Sequence, residues 1–235
     1  MQDLLTVAGL TLPTREVVET DAFAEWQRAG CPRNNSWDAD WFRAEDRATD
    51  FVAKQLYWRR RCPLGADNQN WKFAQLLVRT VLLAHEVWLK RRGKGNTLSS
   101  PSMNSGYYLS ALGFVLTGSR SMARMISRAP NWQLPPVCDV ARRVAYRDEL
   151  ANTIWREQGC KDGYDLCHNR LAWLLMEVYH HAKKGTWIAP RPDRSWPYGE
   201  EFFLETLIGM FVDKPNAVEC VIDDALRAAA ITKAA

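Results

Sequence analysis

The chain has 235 residues, a formal net charge of +4, 47% apolar residues and 25% charged ones. A chain of this length buries roughly 70% of the surface it exposes when extended, so it needs neither disulfide nor metal to hold a core, and its composition excludes disorder. No run approaches the roughly 20 apolar residues that cross a bilayer; the best, Leu171 to Val178, is broken by Glu177.

The first residues include Asp3 and no basic cluster, which argues against a secretory signal. The six cysteines are then expected as thiols in a cytoplasmic protein. Ser36 reads as the N-cap of a helix running to about Arg61. Along it Trp37, Trp41, Ala44, Ala48, Phe51, Val52, Gln55 and Leu56 recur at three- and four-residue spacing. Asp38 and Asp40 fall in its first turn and three arginines in its last, as the helix dipole favours. Pro63 and Gly65 end it. A second helix is predicted from about Gln69 to Arg92, with Trp71, Ala74, Val78, Val81, Leu82, His85, Trp88 and Leu89 on one side. The short link between the two predicts an antiparallel pair.

Residues 93–105 are polar, basic and then serine-rich, the one clear break in periodicity. Ser105 is placed to cap a short apolar helix ending near Thr117, and Gly118-Ser119 resets the chain into SRSMARMISRA. Pro130, Pro135 and Pro136 mark a link. Helices are expected after it over 137–158, 163–184, 200–211 and 215–232. No strand pattern exceeds Thr186 to Ala189. The expected fold is all-α: an irregular multi-helix bundle built around the long antiparallel hairpin. Its N-terminal region, 1–130, carries the hairpin and the basic centre, and 131–235 forms a C-terminal helical region packed against it as one compact unit.

Charge is distributed unevenly. Residues 43–147 hold 18 basic and 6 acidic residues, while 1–42 hold 3 against 7 and 199–235 again 3 against 7. A local excess of cations attracts polyanions whatever the net charge, because screening limits the sum to groups within about 10 Å. Arg120, Arg124 and Arg128 repeat every four residues with no acid between them, so they share one helical face. Arg47, Lys54 and Arg61 recur at seven on the first long helix, and Lys72 and Arg79 on the second, which predicts one positive strip across the hairpin. Arg59-Arg60-Arg61 and Lys90-Arg91-Arg92 with Lys94 cluster at opposite ends of that hairpin, and Arg142, Arg143 and Arg147 add a further group. Such clusters suit successive phosphates of a strand or duplex better than one small ligand. Tyr107 and Tyr108, following the basic loop, are the candidates for base stacking, whereas Trp58 and Trp88 are expected to pack in the hairpin.

Other chemistries find less support. GKGNTLSS lacks the spacing of a phosphate-binding P-loop. Cys160, Cys167, His168, His180 and His181 lack zinc-knuckle spacing, and His168 and His180 lie about 18 Å apart on a straight helix. Glu177 with His180 is half of a dimetal motif whose second half is missing. No metal or cofactor is therefore expected. Glu86, Asp67, Glu149 and Glu177 are acids without an evident catalytic pairing. The best reading is a nucleic-acid-binding helical protein, a non-catalytic subunit of a larger nucleoprotein complex contacting phosphates of DNA or RNA beside protein partners, with no membrane association. The alternatives are a small helical hydrolase acting on a glycan or other polar substrate, and a protein–protein scaffold without nucleic-acid contact.

Overall fold

The computed structural model describes residues 4–30, 37–62, 67–91, 106–127, 140–157, 166–184, 200–216 and 218–223. Among these the chain is a multi-helix protein with one small antiparallel ribbon. It divides into two compact units, Met1–Ser102 and Met103–Ala235, the division falling in the polar stretch that breaks the helical period. The proline link at 130–136, the capping candidates Ser36, Ser105, Gly93 and Gly185, and the strand candidate Thr186 to Ala189 lie outside the described residues.

The first unit opens with β1 (Leu4–Val7) and β2 (Leu10–Pro13), which pair antiparallel with Val7 opposite Leu10. Two residues join them, Ala8 at φ 50° and Gly9 at φ 72°, the positive pair that a tight right-twisting hairpin turn requires. This ribbon departs from the all-helical expectation for the N-terminus. Its strands alternate, with Val7, Leu10 and Leu12 buried against the helices. Thr11 is tied to the side-chain amide of Gln55, which donates to its carbonyl at 2.8 Å and accepts from its N–H at 2.9 Å.

Three helices complete the unit: α1 (Arg15–Arg28), α2 (Trp37–Arg60) and α3 (Asp67–Arg91). The last two form the expected antiparallel hairpin, as Arg60 meets Asn70 at the connected end while Arg79 meets Glu45 farther along. α2 buries Ala44, Ala48, Val52, Ala53 and Leu56, and the three alanines let its neighbours approach closely. α3 is buried over most of its circumference, through Phe73, Leu76, Leu77, Val78, Val81, Ala84 and Trp88, because it packs on α1, α2 and β2. Two apolar assignments fail. Phe51 and Leu89 are exposed, since each lies off the arc that its helix turns inward.

The second unit contains α4 (Tyr107–Thr117), α5 (Arg120–Ser127), α6 (Val140–Glu157), α7 (Leu166–Lys184) and α8 (Glu200–Asp213), with 218–223 also helical. Gly106, at φ 80°, stands at the N-cap of α4. Gly118, at φ 67°, ends α4 as expected, its N–H bonded to the Phe114 carbonyl at 2.7 Å. Ser119 then starts α5, its hydroxyl accepting from the Met122 N–H at 3.4 Å. α6 and α7 pack together, with the His168 ring edge-on to Trp155 at 4.9 Å and Asn169 donating to Asp148 at 3.3 Å. α8 is buried almost all round, from Phe202 to Ile208 and at Met210 and Phe211. No helix among the described residues is long and apolar enough to cross a membrane.

Candidate nucleic-acid interface

α5 is amphipathic over two turns. Met122, Ala123 and Ile126 are buried, and Gly113 of α4 lets the two helices touch: a Cβ there would sit 3.0 Å from the Ala123 Cα. That contact turns Arg120 and Arg124 outward, where both are exposed and neither has an ion pair or hydrogen-bond partner for its guanidinium among the described residues. They stand about 6 Å apart along the axis. The third member of the row, Arg128, lies outside the described residues.

The predicted strip across the α2–α3 hairpin is not continuous. Arg47 is held by Glu25 of α1 at 2.7 Å, and the same carboxylate oxygen takes Arg28 at 2.7 Å. Arg79 bonds Glu45 across the hairpin at 2.8 Å. These two arginines neutralise acids on neighbouring helices, so they tie the unit together and leave the strip broken. Lys72 is half-buried; Lys54 is exposed and has no acid partner among the described residues.

The terminal clusters also separate. Arg60 bonds Asn70 at 2.7 Å and Gln69 at 3.4 Å, a cross-link between α2 and α3. Arg59 lays its guanidinium over the turn at Gly9, where a Cβ would come within 2.5 Å of it. Arg61 is exposed and has no acid partner among the described residues. Lys90 pairs with Glu86 one turn back. The Arg91 side chain, Arg92 and Lys94 lie outside the described residues, as do the side chains of Arg142 and Arg143. Arg147 bonds the adjacent Asp148 at 3.1 Å.

The aromatic assignments need correction. Tyr108 is 1% exposed, so its ring faces the unit's core and cannot stack a base; Tyr107 is half-buried. Trp88 packs in the hairpin as expected, but Trp58 is 76% exposed. Helical phase explains the reversal: Trp58 lies on the Lys54 side of α2, opposite Val52 and Leu56.

His85 is buried, as its apolar surroundings on α3 suggest. Burial lowers its pKa from the ordinary 6.5, Arg15 adds to that, and Glu16, 3.6 Å from Nδ1, and Glu19 oppose it. The folded state therefore resists protonation while the unfolded chain accepts it. Stability present above pH 6.5 is lost as pH falls below that value. Urea midpoints measured from about pH 7 down to about 5 should fall, and His85→Gln should flatten that dependence. An unchanged slope in the variant would show that other groups set it.

Among the described residues no group of three or more histidines, cysteines or acids is placed to hold a metal. Glu177 faces His181 at 3.5 Å, and Glu86 faces Arg15 at 3.8 Å as well as Lys90. No protein-family model matches the chain, and neither a curated protein nor a solved structure matches it.

Proposed function

We propose that the chain binds nucleic acid through its phosphate backbone, as a non-catalytic component of a cytoplasmic nucleoprotein complex. The observation that carries this reading is the outer face of α5, where Arg120 and Arg124 stand one turn apart, exposed and unopposed by any described acid. Like charges at that spacing repel by a few tenths of a kcal/mol, and a row of phosphates removes the repulsion. Arg47 and Arg79 give the contrast, since each is already satisfied within the fold. The cytoplasm suits Cys62 and Cys220, which carry free thiols. The basic centre between acidic flanks suits a subunit whose partners complete the binding channel.

Fluorescence anisotropy with unrelated DNA and RNA oligomers, repeated from low to moderate salt, tests the proposal. Each phosphate contact contributes a slope of about 0.7–0.9 in log affinity against log salt. R120E/R124E should therefore weaken binding and reduce the slope by about 1.4–1.8, while circular dichroism stays unchanged. Absence of binding at low salt, or binding indifferent to the double change, would reject it.

A further inference from the structure

We propose that the outward face of α2 is a stacking platform for single-stranded nucleic acid, with Phe51 and Trp58 taking bases and Lys54 and Arg61 taking phosphates. This rests on the nucleic-acid reading above and names the form of the ligand. Phe51 and Trp58 are two turns apart on one line of the helix, about 10.5 Å along its axis, or three steps of a stacked strand at about 3.4 Å each. Lys54 stands on an adjoining line of the helix, and Arg61 follows directly on its last residue. Phe51 is 46% exposed, and Trp58, at 76%, is the most exposed large apolar residue among the described residues. Tyr57 meets the Trp58 indole edge-on at 5.8 Å and 86°, which supports one side of a ring whose remaining surface is open.

The charges match such a ligand. Lys54 and Arg61 have no acid partner among the described residues, and the acid beside them, Asp50, already accepts a hydrogen bond from the Trp71 indole at 3.0 Å. A cationic line beside an aromatic line presents to a single strand what its phosphates and its open base faces each require. A duplex hides those faces in its own stack.

The backbone at the end of α2 supplies an independent observation. The Cys62 N–H bonds the Tyr57 carbonyl at 3.4 Å and the Arg61 N–H bonds the Trp58 carbonyl at 3.3 Å, a paired closure that places residue 61 in the left-handed region. Glycine takes that position by default, yet Arg61 stands there at φ 48°. A long cation thus stands at a strained position beside the exposed Trp58 indole, where glycine would serve the fold better.

The test compares a labelled oligothymidylate with a duplex of equal length, by anisotropy at one low salt concentration. Trp58→Ala should weaken strand binding by about 5- to 150-fold, Trp58→Phe should restore much of it, and duplex binding should change little. Arg61→Gly should weaken strand binding while raising the melting temperature, an opposed pair of effects that a purely structural residue does not produce. If the wild-type protein binds strands and Trp58→Ala binds them equally well, the platform is refuted while the α5 reading stands. Binding to neither nucleic acid rejects both. Loss of binding to phosphatidylserine vesicles in Trp58→Ala, with strand binding intact, would assign the face to lipid and overturn the proposal.

Discussion

Trp88→Ala should lower the stability of the first unit by about 3–5 kcal/mol, the usual cost of truncating a large aromatic residue in a core that cannot close around the void. The indole is 1% exposed and lies on α3, the helix that packs on α1, α2 and β2 at once. Its loss therefore loosens several contacts together. Urea unfolding followed by circular dichroism should show the midpoint of one transition falling steeply. Trp58→Ala is the control within the same hairpin: at 76% exposure it should shift stability by no more than about 0.5 kcal/mol. Equal effects from the two would contradict the packing described for α3.

Gly113→Leu should destabilise the second unit by about 1–3 kcal/mol, in the opposite manner, by overfilling rather than emptying. A Cβ at that position meets the Ala123 Cα at 3.0 Å and the Ile126 Cβ and Cδ1 at 3.1 Å. The first of these is backbone, which cannot swing aside as the tip of a long side chain does. α5 must then move off α4, and the arginines it presents move with it. Thermal unfolding gives the first readout and oligonucleotide binding the second. A variant with wild-type melting temperature would show that the two helices do not approach so closely.

Much of this architecture is legible in the residues. Apolar spacing marks the long helices, and Gly118 marks the end of α4 because its backbone conformation excludes most side chains. The N-terminal ribbon is harder to see. Its strands are four residues each, and its turn is Ala-Gly rather than the Asn-Gly that advertises a tight hairpin. Its partner Gln55 is 44 residues away. The proposed binding surface is legible in the charge of the sequence and less so in its detail. Arg47 and Arg79 find Glu25 and Glu45 only when helices distant in sequence come together, so a sevenfold row of cations could not announce which members were already engaged. Tyr108 is buried and Trp58 exposed, against expectation, for a related reason: proximity to a basic cluster says nothing of helical phase, which decides whether a ring faces core or solvent.

The amide of Gln55 has a consequence for self-association. In the ribbon's register Thr6 faces Thr11 without exchanging hydrogen bonds, so the Thr11 N–H and carbonyl point away from β1, toward the open side of β2. An edge of that kind templates the addition of another chain's strand, the first step toward swapped or fibrous aggregates. Gln55 fills it with one donor and one acceptor, the groups an incoming strand would have brought. The β2 edge is thus closed to a further strand at its centre by a side chain rooted in α2, and opening that edge means first parting it from the helix.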